Sequence, residues 1–276
     1  WRDWSSDVCS SDLAPDIGPA GLALAAALIA GHAVTSVAFQ LGLGRRLVVA
    51  AVRATVQLLL LGWALERVFA AQQPALVVGV MTLMGLVAGR EALRRTTHTA
   101  PGLGRATTLA MLGSSFLVTT YGLVTVLDAE PWWAPERAIP IMGMVLGNTL
   151  NGIALGLDAT LKGLESRSGE IEGLLAMGAS PARATRALVQ DALRTATLPI
   201  VNSMAVVGIV SIPGMMTGQI LGGGDPGIAA RYQLFILFAI ASGTALGAVL
   251  VVLSARRLLF DDRERLRLDR LSPRAS

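Results

Sequence analysis

Side chains able to bind or react are sparse in this chain, and those that stand out are amides, thioethers and lone charges inside apolar stretches. Asn148 and Asn151 lie three residues apart, on one face of any helix that contains them. A buried amide is costly without a partner, so the pair is expected to face a bundle interior or a pore. There it serves either as oxygen ligands along a path or as a clasp between helices. Met215, Met216 and Gln219 follow directly on Pro213 and Gly214. Thioethers take soft metals, but methionine is also an adaptable core filler, and packing is the favoured reading of these two. Arg53 and Gln57 are one turn apart and mark an interior-facing stripe, with Arg53 near enough to a helix end to snorkel. His32 stands alone, a pattern that fits a hydrogen-bonded helix contact better than a ligand.

Other chemistry is excluded. A phosphate-binding P-loop needs Gly-x4-Gly-Lys-Ser/Thr, and the only lysine, Lys162, sits between Leu161 and Gly163. No His-Glu-x-x-His occurs, the histidines being His32 and His98. Gly113-Ser114-Ser115 has neither histidine in a context that marks it as a base. The single cysteine, Cys9, forbids an intrachain disulfide or a cysteine metal cluster. No catalytic residue and no cofactor of this chain's own is expected, and metal ligands stay unassigned.

The elements that must position these groups are membrane spans. Of the 276 residues 53% are hydrophobic and 15% charged, against roughly 25% charged in an ordinary soluble domain, and the mean hydropathy is +0.59. Apolar runs of about 20 residues recur, each long enough to cross a hydrocarbon core of roughly 30 Å. The expected fold is an all-α polytopic bundle of about seven spans, near 18–42, 46–65, 74–89, 106–128, 139–158, 199–221 and 233–256, within a membrane domain at 14–260. Pro213-Gly214 is expected to break or kink the sixth. With the C-terminus inside, eighteen basic residues fall on inner loops and on the C-terminal stretch from Arg256 through the tail 261–276, and four on the outer side. That asymmetry sets the N-terminus outside and the C-terminus in the cytoplasm. Trp132 and Trp133 then lie on an outer loop, where interfacial aromatics belong. Because the basic residues lie in short loops beside spans, the basic balance implies a bilayer partner and no nucleic acid. Residues 1–13, WRDWSSDVCSSDL, match nothing that follows and read as a non-native stretch.

One long polar stretch, 159–198, interrupts the spans on the inner side. Its first part extends the fifth span as a helix, and Gly178 supplies a stop. Ser180 then offers an N-cap with Pro181 at the first helical position, and a second helix runs to about Thr197, ending before Pro199. On it Arg183, Arg186, Gln190 and Arg194 share one face while Ala184, Leu188 and Ala192 share another. This is either an amphipathic interfacial linker or a device that takes mechanical input from a soluble partner.

The stretch Glu172-Gly-Leu-Leu-Ala-Met-Gly178-Ala-Ser-Pro181 resembles the coupling-helix signature of ATP-binding-cassette (ABC) permeases, in which a Glu precedes a Gly by six residues and a helix follows. Together with Pro140-Ile-Met-Gly-Met-Val-Leu-Gly147-Asn148-Thr-Leu-Asn151-Gly152 and Ser211-Ile-Pro-Gly-Met-Met-Thr-Gly-Gln219, it resembles the FetB-type family of iron-export ABC permeases, which has plant relatives linked to aluminium tolerance. The resemblance spans about 20–260. It implies a permease of the bacterial inner membrane, acting as a homodimer with a separate ABC ATPase subunit that binds the ATP, and moving iron or another metal ion outward. It implies coupling roles for Glu172, Gly178, Ser180, Pro181, Arg183 and Arg186. A permease for a lipid or nucleotide sugar, and a membrane scaffold or sensor, are the other classes that this composition admits.

Overall fold

Glycines on one face of a long helix let its neighbours approach to backbone contact, and the arrangement of the larger part of the chain follows from that. The computed structural model describes residues 18–42 and 44–274. The stretch 1–13, with Cys9, lies outside them. The described elements are helices α1 (Pro19–Ala38), α2 (Gly44–Ala71), α3 (Pro74–Arg94), α4 (Leu103–Tyr121), α5 (Pro135–Ser166), α6 (Ser168–Ala176), α7 (Pro181–Ala184), α8 (Arg186–Val206), α9 (Gly214–Leu221) and α10 (Pro226–Leu258), with two-residue strands β1 (His98–Thr99) and β2 (Ser272–Pro273). Helix α4 ends in a π-helical turn over Gly122–Val126.

Six helices, α1 to α5 and α10, are long and apolar enough to cross a membrane. The protein is an all-α, polytopic membrane protein. The interval expected as a sixth of seven spans, 199–221, is instead two helices, the end of α8 and the short α9, separated by the non-helical stretch 207–213. The break expected at Pro213-Gly214 is therefore present, and it is wider than a proline kink. Helix α3 reaches Arg94 rather than stopping near residue 89, because Ala92 is fully buried and carries the packed face one turn further.

The chain forms two compact units. One holds α1 and α2 with residues 217–226. In it the two helices pack where Gly44 approaches Ala33 and Val37. The other unit holds residues 73–216 and the chain from Gly227 onward. Its core is the buried face of α5, with Met142, Val145, Ile153, Leu157, Leu161 and Leu164 all fully buried. A Cβ added at Gly152 would lie 2.3 Å from Thr244 Cγ2 and 2.9 Å from Ala196 O; one at Gly156 would lie 2.9 Å from Ala196 Cβ; and one at Gly163 would lie 2.9 Å from Leu188 Cδ1. Helices α5 and α8 thus run antiparallel with Gly152, Gly156 and Gly163 against Ala196, Ala192 and Leu188. Small residues allow this approach in membrane bundles generally. Elsewhere on α5, Gly143 meets only the tip of Met84 at 3.3 Å, and Gly147 faces open space.

This packing also explains why the helix expected to end near Thr197 continues through Pro199 to Val206. A proline in a helix interior removes one hydrogen bond and costs about 3 kcal/mol. Burial of Ala192, Ala196 and Ile200 on the α5 side holds the helix through that defect. We predict that Gly156→Leu lowers stability in detergent by about 1–3 kcal/mol, the usual cost of overpacking. Gly147→Ala is expected to stay within about 0.5 kcal/mol, and thermal unfolding of the two purified variants checks both.

Candidate functional site

The interruption between spans is built from three helices and two backbone devices. Helix α5 ends at Ser166, the chain turns at Arg167, and α6 begins. At the end of α6 the N–H of Gly178 donates to Leu175 O at 2.9 Å and that of Ala179 to Leu174 O at 3.0 Å. These two bonds form a Schellman motif, with Gly178 at φ +87° in its left-handed position. The stop expected at Gly178 is in place. Ser180 occupies the N-cap position before Pro181 with extended backbone, but its side chain makes no capping bond. Its carbonyl does that work, accepting the N–H groups of Arg183 and Ala184 at 2.9 Å each. The second helix is in fact two, α7 and α8, divided at the buried Thr185, whose hydroxyl donates to Pro181 O at 2.7 Å. Arg183, Arg186, Gln190 and Arg194 are exposed, and Ala184, Leu188 and Ala192 are buried, as the helical spacing requires. Arg167 reaches Asp191 at 3.1 Å and ties the start of the segment to α8. Such an exposed pair contributes at most about 1 kcal/mol. Glu172 is exposed on α6.

The candidate path residues are placed differently from one another. Asn148 and Asn151 share a face of α5, as expected, but both are exposed on this chain instead of buried. The face that packs is the other one, which carries Thr149, Gly152, Ile153 and Gly156. Asn148 donates back to Met144 O at 2.9 Å, and Asn151 accepts from Arg95 Nη1 at 2.7 Å. With Gly147 and Leu155 they form an uncovered stripe. Arg53 and Gln57 are exposed on α2, and neither has a hydrogen bond or ion pair among the described residues. His32 is exposed on α1, and its carbonyl accepts the Thr35 hydroxyl at 2.8 Å.

At the break, Val206 O accepts the N–H groups of Ile209, Val210 and Ser211, and Gly208, at φ +83°, donates to Ser211 O at 2.9 Å. The loop is closed by its own backbone and projects Ile209, Val210 and Ile212 outward, 88%, 80% and 67% exposed. Pro213 and Gly214 follow, and Met215 and Met216 are half-buried. In the other unit, Gln219 Oε1 is buried and has no hydrogen-bond partner among the described residues. Among the described residues, no three His, Cys, Asp or Glu side chains converge as metal ligands.

A family described as an uncharacterised protein family, UPF0014, matches residues 19–260. The chain belongs to the UPF0014 family. It is 33% identical over 237 residues to the UPF0014 membrane protein slr1647 of Synechocystis, covering 86% of this chain and 92% of the relative. It is 29% identical over 250 residues to the Escherichia coli protein named "Probable iron export permease protein FetB", covering 89% and 93%. It is 30% identical over 185 residues to the protein ALUMINUM SENSITIVE 3 of Arabidopsis, covering 67% and 66%. No solved structure matches.

The part of this UPF0014 chain that sequence reasoning missed is a polar belt around the turn between α3 and α4. The N–H and hydroxyl of Thr97 both donate to Asp158 Oδ1 at 2.8 Å, Lys162 reaches Asp158 Oδ2 at 2.7 Å, and His98 Nε2 lies 3.2 Å from Glu165. Asp158 is therefore tied down. Its i,i+4 spacing to Lys162 was the available signal. The tail, expected as a basic extension, is also folded. Strand β2 pairs antiparallel with β1, and Arg274 donates its N–H to Thr97 O at 2.8 Å and its side chain to Leu93 O. Before it, Asp261 holds a hairpin over Phe260–Leu266, accepting the N–H groups of Arg265 and Arg263 at 2.8 and 3.0 Å and the Arg265 guanidinium. The backbone N–H of Arg265, above all, holds the Asp261 carboxyl below its ordinary pKa. This contribution is therefore present above about pH 4 and is lost as pH falls through the depressed value.

Gly178→Val places a β-branched residue where φ is positive, at a cost of about 1–2 kcal/mol. We predict faster amide exchange across residues 168–184 in this variant with α3, α4 and α10 unchanged. Exchange indistinguishable from the unaltered protein would contradict the turn's role in holding the segment.

Proposed function

We propose that this chain is the membrane-spanning permease subunit of an ABC transporter that exports iron or another metal ion, driven by a separate ATPase subunit. The carrying observation is similarity over 93% of a protein named as an iron export permease. It is joined by a polar three-helix interruption whose geometry suits docking to a soluble partner. A glycine turn in the left-handed region aims α7 and α8 relative to α6. The basic face Arg183, Arg186 and Arg194 is exposed, and Glu172, Ser180 and Pro181 frame the turn. The bilayer is the inner membrane of a bacterium, with the N-terminus outside and the C-terminus cytoplasmic, which puts this segment on the side where ATP is.

Two copies of the chain would act with two ATPase subunits. ATP binding closes the ATPase pair and displaces the coupling segment. Helix α8, packed along α5, carries that displacement to the break at 207–213. The metal path runs along the uncovered α5 stripe, where Asn148 and Asn151 offer amide oxygens. Pro213 and Gly214, at the break, stand on the same path, as broken helices do in other transporters. Oxygen ligands suit a hard cation, and the thioethers of Met215 and Met216 serve packing; Gln219, Arg53 and Gln57 are the further candidates for the path. Arg95 beside Asn151 places a positive charge at one end of the stripe. A bare cation passes only when that side chain swings away, and a metal carried in an anionic complex passes without it.

The test is metal efflux from vesicles that hold the purified permease and its ATPase, normalised to inserted protein. We predict that Asn148→Leu and Asn151→Leu each lower efflux about tenfold, equivalent to ~1.4 kcal/mol on the barrier. Met215→Leu with Met216→Leu, close in volume, leaves it within about twofold. Abolished efflux in the methionine pair with normal efflux in both asparagine variants would mean a thioether-lined path.

A further inference from the structure

The C-terminal hairpin stands beside the coupling turn, and the two enclose a groove of about 520 Å³. One wall is α6 and its turn, with Glu172 and Gly178; the other is the hairpin, with Arg263, Glu264 and Arg265. Three observations set this groove apart from an ordinary surface dent. The hairpin is rigidly built, since Asp261 takes two backbone N–H groups and the Arg265 guanidinium, and Arg267 N–H donates to Leu259 O at 2.8 Å. It is also anchored beyond itself, since Arg270 binds Leu258 O at 3.0 Å and β2 pairs with β1. The hairpin's backbone is therefore fixed without the Arg263 and Glu264 side chains, which make no hydrogen bond or ion pair among the described residues. Third, Met177 at the tip of the coupling turn is 78% exposed, outside every candidate span.

An apolar knob beside a groove rimmed by charges of both signs is the composition of a protein interface, with an apolar anchor at the centre and polar groups around it. It does not suit an anionic lipid surface, which Glu172 and Glu264 would repel. We propose that the ATPase subunit is received by a composite seat. Met177 enters an apolar pocket of the ATPase, and a segment of the ATPase enters the groove between coupling turn and hairpin, matched in charge to Glu172, Arg263 and Glu264. The seat deepens, and rests on, the permease reading. It adds that the chain's end, and not the coupling helices alone, recognises the partner. Because the hairpin is tied through β1 to the α3–α4 turn, docking also bears on the polar belt at Thr97 and Asp158.

The experiment measures binding of the full-length detergent-purified protein to the separately purified ABC ATPase subunit that co-purifies with it. It compares Arg263→Glu, Glu264→Arg and Met177→Asp with the unaltered protein, and uses thermal unfolding to confirm that each is folded. Affinity about tenfold weaker in Met177→Asp and in at least one of the charge reversals is expected, the loss usual for an anchor or a charge set against its like. Affinity within about twofold in all three would overturn the composite seat. Loss of ATPase stimulation in Gly178→Val alone, with those three binding normally, leaves the permease reading standing and removes the seat. No binding by the unaltered protein removes both.

Discussion

Close contact between α5 and α8, through three glycines that leave no room for a side chain, is the constraint on which the larger unit depends. It fixes the separation of two long helices at backbone contact over Gly152 to Gly163, and a contact of that kind has little slack, because close-packed interiors transmit displacement. The proline at 199 would otherwise end α8. The buried stripe Ala192, Ala196 and Ile200 keeps the helix whole, so that one continuous rod runs from the coupling segment to the break at Val207. A rod that slides against α5 moves both ends together.

The ends of that rod have contrasting construction. At the start, bonds are many and local: the Schellman turn at Gly178, the carbonyl cap at Ser180 and the Thr185 bond to Pro181. At the far end Val206 O takes three N–H groups and Gly208 bonds Ser211 O, and the stretch 207–213 turns Ile209, Val210 and Ile212 outward. In the proposed coupling, α8 is the element that joins these two ends. The polar belt adds a second restraint: Arg95, Thr97 and His98 tie the α3–α4 turn to the second half of α5.

What was legible in the sequence follows the physics of each signal. Spans read well because twenty apolar residues have few other uses, and the coupling turn read well because Gly, Ser and Pro at 178, 180 and 181 act through the local backbone. Long-range packing did not read. Nothing near Pro199 says that α5 offers glycines to hold the helix through it, and Gly156 and Gly163 are indistinguishable in sequence from Gly147, which faces open space. The amides at 148 and 151 share a face of α5 as their spacing requires, but the spacing does not say that α5 packs through the opposite face, since the pattern gives a face and not its occupant. The tail misled for a different reason: Asp261 organises seven residues through backbone bonds that leave no hydrophobic period to detect.

Hydrogen exchange of the protein reconstituted with the proposed ATPase subunit, with and without ATP, tests the central claim most directly. If α8 carries coupling-segment motion to the break, ATP changes amide exchange across residues 207–213 while the α5 amides from Gly152 to Gly163 stay protected. Exchange at 207–213 that is unmoved by ATP, or loss of protection along α5 instead, would contradict it.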